Sequence, residues 1–233
     1  MSKSNNWVGA ISSMLAFSSC AAAAVPLNQE DIFLSGVFLE KGEFNGKSAF
    51  KVTMPKEDWQ DPDKEILTDR AYMAWFPIDF SNGVIEVNIA SQLADGAPEY
   101  ARGFAGVSFR IQSDGSFENI YLRPTNSQSD DQVRRNHSLQ YFSYPDYRFD
   151  RLRKESPEKY ESYADIKLGE WNYLKIIVKN QQAVLYLNHN SSPSLIVNDL
   201  KLGGAAKGGV GIWIESGSEA WFTDLQIENN KTK

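Results

Sequence analysis

His137 is one of two histidines in the chain and follows directly on Arg134, Arg135 and Asn136. An imidazole exchanges protons near neutral pH, so with a phenol from Tyr121 or Tyr141 it could relay a proton while guanidinium groups neutralise an anion. That combination suits β-elimination from a uronic acid. The plainer reading of the same residue is a histidine fixed by hydrogen bonds in a loop. Glu86 is the carboxylate placed to join the group, in a strand-like run where Val84 and Asn88 share its face. The second histidine, His189, lies between Asn188 and Asn190 and reads as a turn residue.

Around these residues the cations are sorted by type. Between Glu65 and Arg153 there are nine arginines and no lysine, and seven of the nine fall between Arg110 and Arg153. Arginine offers a planar fork of donors that matches a carboxylate or sulfate in two parallel bonds, and it stacks on rings; lysine is a point charge. Tyrosines 121, 141, 144, 147, 160 and 163 are interleaved with them, and an aromatic face suits the C–H face of a sugar ring. The ligand-binding candidates are therefore Asn88, Arg110, Arg123, Asn126, Arg134, Arg135, Gln140 and Trp213. For Arg148, Arg151, Arg153 and Lys154 the stronger expectation is structural, because Asp146, Asp150, Glu155 and Glu158 stand close enough to pair with them. Arg110 could likewise pair with Glu86 across strands.

The chain has 233 residues, 24 Lys plus Arg against 30 Asp plus Glu, a net charge of −6, 42% hydrophobic residues and one cysteine. Such a chain can bury a sizeable core and is far too apolar to be disordered. A single cysteine excludes a disulfide framework and a Cys-based zinc site. The negative charge argues against nucleic acid as a partner, since phosphate binding runs on a cationic surface. Residues 1–24 read as a signal peptide: Lys3 supplies a positive start, Trp7 to Phe17 is apolar but too short to span a bilayer, and Ala22-Ala23-Ala24 offers the small residues that signal peptidase accepts. A second reading takes Phe17-Ser18-Ser19-Cys20 as a lipobox, with a lipid anchor on Cys20. The expectation is export to the periplasm or extracellular space, alternatively as an outer-membrane lipoprotein, with residues 25–233 as a single domain.

Strands must position the candidates. Alternation puts Ile85, Val87 and Ile89 on one face of the run SNGVIEVNI and Glu86 and Asn88 on the other. In GFAGVSFRIQ, Val107, Phe109 and Ile111 face one way and Ser108, Arg110 and Gln112 the other; in NIYLR, Ile120 and Leu122 face inward and Tyr121 and Arg123 outward. Residues 171–178 and 182–188 make a hairpin around Asn180-Gln181, and GGVGIWIE and AWFTDLQIE supply two last strands. Short strands, turn dipeptides such as Asn45-Gly46 and Asn82-Gly83, and no helical periodicity together predict a β-sandwich. On it, Glu86, Asn88, Ser108, Arg110, Gln112, Tyr121 and Arg123 are expected to converge on one polar face. Pro124 to Tyr163, dense in Asn, Ser, Asp, Arg, Pro and Tyr, reads as a long functional loop with one strand at 138–143.

Phe44 to Phe50, FSNGVIEVNI, GFAGVSFRI, GEWNYLKIIVKNQQAVLYLN and GGVGIWIESGSEAWFTDLQI, in that order, resemble the concanavalin A-like lectin/glucanase superfamily in its laminin-G-like branch. Tyr121 to Tyr141 also resembles a recurring element of exported bacterial proteins described as lectin/glucanase-like. The resemblance implies a jelly-roll β-sandwich of two antiparallel sheets with one long loop insertion, and a ligand groove on the curved sheet. It specifies the fold more than the activity, because lectins, hydrolases, lyases and adhesion modules share it. Members often hold a structural Ca²⁺, for which Asp224 and Glu40 are the candidate ligands; no other cofactor is required. Glucanases of this superfamily carry an E-x-D-x-E type strand, whose side chains two apart set the roughly 5 to 10 Å carboxylate separation of glycoside hydrolysis. No such strand occurs here. The expectation is an exported module binding an oligosaccharide or polysaccharide, acidic in one version. The alternatives are a polysaccharide hydrolase or lyase using His137, Tyr121 and Tyr141, and a laminin-G-like adhesion module.

Overall fold

The computed structural model describes residues 29–230; the expected signal peptide and Cys20 lie outside the described residues. Alternation of apolar and polar side chains gives strands that each bury one face, and two sheets stack to cover those faces. The first sheet runs in the order β1 (Phe33–Ser35), β4 (Met73–Phe80), β13 (Gly208–Ile214), β6 (Ala105–Ile111), β7 (Phe117–Leu122), β8 (Leu139–Tyr144) and β9 (Glu161–Ser162). The second runs β12 (Leu195–Val197), β11 (Gln182–Leu187), β10 (Asn172–Lys179), β5 (Gly83–Leu93), β14 (Ser218–Asn229), β3 (Lys47–Thr53) and β2 (Phe38–Phe44). All pairings are antiparallel. The expected jelly-roll sandwich of two antiparallel sheets is therefore the fold.

The core lies between the sheets. Ile85, Val87 and Ile89 of β5 and Leu174, Ile176 and Val178 of β10 are buried with Val107 and Phe109 of β6 and Ile120 and Leu122 of β7. Each such side chain contributes about 1.5 to 3 kcal/mol on burial. The β2–β3 hairpin turns at Asn45-Gly46, where both residues have positive φ (47° and 75°), as a tight two-residue loop matched to the strand twist demands. The β10–β11 hairpin turns at Asn180-Gln181 as the sequence predicts.

The expected loop from Pro124 to Tyr163 is mostly ordered into elements. It holds α1 (Pro124–Ser127), α2 (Gln132–Asn136), β8, α3 (Phe149–Glu155) and β9. Pro124 starts the first helix where its missing N–H costs nothing. Asp131 caps the second, its Oδ1 accepting from Val133 N (2.8 Å) and Arg134 N (3.3 Å). These turns are too short to show helical periodicity in the sequence.

The converging polar face is corrected by the strand order. After Leu93 the chain crosses to the other sheet, so β5 does not neighbour β6. Glu86 and Asn88 stand on the outer face of the second sheet. Glu86 pairs with Lys175 at 3.2 Å and accepts from the Tyr173 hydroxyl, and Asn88 Nδ2 donates to Asp224 Oδ2 at 2.8 Å. They are remote in the fold from His137, which follows α2 beside the first sheet. Arg110 does not pair with Glu86.

Candidate functional site

The outward face of the first sheet, expected to be an open groove, is filled. Trp213 of β13, Tyr121 of β7 and Phe142 of β8 are fully buried there, with Tyr121–Trp213 centroids 4.8 Å apart and Phe142–Trp213 centroids 5.4 Å apart. Gly106 lies between Trp213 and Tyr121 in register. A Cβ there would meet Ile120 O and Tyr121 Cβ at 2.4 Å, so only glycine permits this contact. The irregular segment Leu67 to Arg70 closes over these rings: Trp213 Nε1 donates to Arg70 O at 2.7 Å, and Tyr121 Oη donates to Asp69 Oδ1 at 2.9 Å. From the other side Phe149 N, at the start of α3, donates to Asp69 Oδ2 at 2.8 Å.

At the edge of this lid a cavity of about 320 Å³ remains open. Five residues of the sequence-derived set meet in its wall: Tyr121, Arg123, Asn126, Arg134 and His137. Arg123 directly follows β7 and is only 5% exposed. Its Nη2 donates to the Tyr121 hydroxyl, its Nη1 lies 3.5 Å from Glu161 Oε1, and its Nε is a buried donor without a partner. Asn126, on α1, accepts from Arg134 Nε at 3.0 Å and donates to His137 O at 2.9 Å, tying α1, α2 and the approach to β8 together.

Charged residues outside that set also line the wall: Asp69, Arg102, Asp131, Arg153 and Glu215. Burial pushes the Asp69 carboxyl up to about 6, against the opposing pull of Arg123, the Phe149 N–H and the Tyr121 hydroxyl. Burial, with Arg134 and Arg123 adding repulsion, pushes Arg102 down to about 10. Arg102 donates only to backbone, to Glu99 O at 2.6 Å and Ala101 O at 2.9 Å. Among the described residues neither Arg102 nor Arg134 has a carboxylate within salt-bridge distance. Glu215 is occupied: Arg70 donates to both of its oxygens, Nη2 to Oε1 at 2.6 Å and Nε to Oε2 at 3.3 Å. Glu161 is the shared counter-ion behind the cavity, meeting Arg123, Arg153 and, at 3.4 Å, His137 Nε2. Burial lowers the His137 imidazole, partly offset by Glu161.

The remaining candidates lie elsewhere. Tyr141 points between the sheets, where its hydroxyl donates to buried Glu118 Oε2 at 2.6 Å and accepts from Lys201 N at 2.9 Å; it cannot relay a proton to His137. Gln140 sits beside Tyr121 in register, but it is fully buried and donates to Tyr141 O at 2.8 Å. Trp213 is part of the aromatic fill. Arg135 turns from the cavity to Tyr163, donating to its hydroxyl at 2.9 Å with the guanidinium 5.0 Å from the ring centre.

Arg110 is the residue inserted in a bulge between Val210 and Gly209, with φ 54°. The bulge re-aims its side chain, which is fully buried and donates to Ser81 O, Asn180 O and Gly203 O at 2.7 to 3.0 Å. It is a fastener for three turns. Arg151 pairs with Glu155 at 2.8 Å as expected of the loop arginines, whereas Arg153 reaches Glu161. Asp224 occupies a bulge in β14 (φ 56°) and is bonded to Asn88; Glu40 lies on β2 opposite Lys51. Among the described residues no three His, Cys, Asp or Glu side chains are grouped to hold a metal ion.

Asp69 and Glu161 escape sequence reasoning because Leu67 to Arg70 has no periodicity and β9 is two residues long. Arg102 had a signal. It is one of the nine arginines of the lysine-free stretch, although it precedes the densest seven.

No family model matches the chain, and no curated relative matches it by sequence. Solved structures resemble it in fold. The carbohydrate-binding module CBM66 from Bacillus subtilis superposes with a TM-score of 0.50 at 12% identity, covering 84% of this chain and 97% of that one. A putative glycosyl hydrolase from Parabacteroides distasonis aligns with a TM-score of 0.48 at 14% identity, over 86% and 94% of the two chains. A Bacillus subtilis protein of unknown function with a galectin-like fold aligns with a TM-score of 0.47 at 12% identity, over 86% and 90%. At such identities the likeness is one of fold.

Proposed function

We propose that this chain is an exported carbohydrate-binding module that takes an acidic glycan in the cavity walled by Arg102, Tyr121, Arg123, Asn126, Arg134 and His137. One observation carries the reading. Arg102 and Arg134 face a single cavity without a carboxylate partner among the described residues, over a buried Arg123 whose Nε lacks an acceptor. Guanidinium groups left unpaired beside polar side chains are suited to a carboxylate or sulfate on a sugar. The fold shared with a carbohydrate-binding module agrees with this, though fold alone does not assign a ligand. Export, whether free or through a lipid on Cys20, and the laminin-G-like placement rest on the sequence.

A calorimetric titration against neutral and acidic mono- and oligosaccharides tests the reading. Acidic sugars should bind, and Arg134→Ala should weaken them by about tenfold or more, the effect of losing about 1.4 kcal/mol. Arg148→Ala, whose Nε donates to Pro145 O outside the cavity, should leave affinity unchanged. Equal effects of the two variants, or no binding to any glycan, would overturn the assignment.

A second reading, a polysaccharide lyase or hydrolase, has one observation in its favour. Asp69, with its pKa near 6, holds an exchangeable proton in the wall of the same cavity, hydrogen-bonded to Tyr121. Release of reducing ends or of unsaturated uronate, abolished by Asp69→Asn, would establish it. Binding without turnover on every bound glycan would remove it.

A further inference from the structure

The cavity does not stand alone. Four hollows of about 580, 320, 180 and 430 Å³ follow one another, each sharing wall residues only with its neighbours. The first lies between Trp59, Pro62 and the Gly96 to Tyr100 turn, and it shares Gln60, Tyr100 and Arg102 with the arginine cavity. His137 separates the arginine cavity from the third hollow, which Asn136, Glu158, Glu161 and Tyr163 also line. Ser162 and Tyr163 divide that hollow from the fourth, walled by Asn188, Asn190 and the serines 191, 192 and 194. The row follows the rim of the sandwich, since the outward face of the first sheet is packed with aromatic rings.

We infer that the chain binds a polysaccharide along its length, seating an acidic residue in the arginine cavity and neutral residues in the hollows on either side. The inference rests on the glycan reading and deepens it. Two features carry it beyond the row itself. Tyr163, 41% exposed, presents a ring whose hydroxyl and one face are held by Arg135, so an aromatic platform is already fixed at the boundary of the third and fourth hollows. The charges also differ from hollow to hollow. The second has Arg102, Arg123, Arg134 and Arg153 against Asp69, Asp131 and Glu215, whereas the first has Asp61 and Glu99 beside the shared Arg102. Among the described residues the third and fourth have no arginine or lysine in their walls and carry Glu158 and Glu161, and Asp165. A second carboxylate on the ligand would meet these acids. The ligand class is thus a mixed polymer with its acidic residue flanked by neutral sugars, and a homopolymer of uronic acid is disfavoured.

Titration with a hexuronate monosaccharide, a tetrasaccharide alternating hexuronate and neutral hexose, and a tetrahexuronate tests this. The alternating tetrasaccharide should bind about tenfold or more tighter than the monosaccharide, and the tetrahexuronate should gain little. Tyr163→Ala should remove the gain of the alternating tetrasaccharide and leave the monosaccharide unchanged, while Tyr163→Phe should retain it. Equal affinity for the monosaccharide and the alternating tetrasaccharide overturns the row of subsites but leaves the arginine cavity as a binding site. An equal gain for the tetrahexuronate overturns the mixed-polymer assignment. No binding to any of the three removes both readings.

Discussion

Asp69 keeps its proton to a higher pH than an ordinary aspartate does. Its carboxyl, raised from 3.8 to about 6 by burial, favours the folded state most below pH 3.8, and that contribution is lost as pH rises through 6. The shift corresponds to about 3 kcal/mol. Urea denaturation at a series of pH values should therefore show the wild type losing up to about 3 kcal/mol relative to Asp69→Asn between pH 4 and pH 8; parallel curves for the two proteins would refute it. His137 acts in the opposite sense. Its folded-state pKa is lowered by burial, so its penalty appears as pH falls through that value. Of the residues the sequence grouped, the fold brings Tyr121, Arg123, Asn126, Arg134 and His137 to one cavity and leaves Arg110, Arg135 and Tyr141 outside it. What the sequence could not supply was Asp69, because no pattern marks a carboxylate whose environment comes from a helix 80 residues away.

Whole strands were legible wherever alternation held and the turn dipeptides were unambiguous, as in β5, β6, β10, β11, β13 and β14. Bulges and sheet crossings were not, and they account for Arg110, Glu86 and Asn88; Trp213 lies on the expected face but beneath the Leu67 to Arg70 segment, and Tyr141 points between the sheets. Alternation assigns Arg110 to the groove face, but one inserted residue turns it to the carbonyls of Ser81, Asn180 and Gly203. Arg110→Met should thus act on stability and not on ligand. Removing a buried cation leaves three carbonyls short of donors, at about 1 to 3 kcal/mol each where water cannot replace it, so a loss of several kcal/mol is expected in denaturant unfolding. Glycan affinity measured well below the transition should match the wild type. Tyr141→Phe offers a smaller case: Glu118 Oε2 and Lys201 N each lose a partner between the sheets, at a cost of about 1 to 3 kcal/mol.

Over the whole molecule the two basic residue types are segregated. The nine arginines of the lysine-free stretch leave fifteen of the 24 basic residues as lysines, and five of these lie on β2, β3 and β10 of the second sheet while none lies on a strand of the first. The protein is acidic on average and cationic at one place. Binding of an acidic sugar should accordingly weaken between low salt and 0.5 M NaCl, while any neutral sugar bound should be indifferent; the same salt response for both would argue against the arginine cavity. Fold class was readable from the sequence at this scale because periodicity and turn spacing are summed over many strands, whereas a site depends on a few contacts between distant segments.

The strand order also fixes when the molecule can exist. β13 lies between β4 and β6 in one sheet, and β14 lies between β3 and β5 in the other. Until residues 208–229 have been synthesised, each sheet is two separate ribbons with open inner edges. Completing either sheet must therefore wait for the last strands and proceed through contacts distant in sequence, a slow route. A ribosome-bound chain ending before Gly208 should be digested by protease throughout, and resistance should appear as one late event, not stepwise as the sheets lengthen.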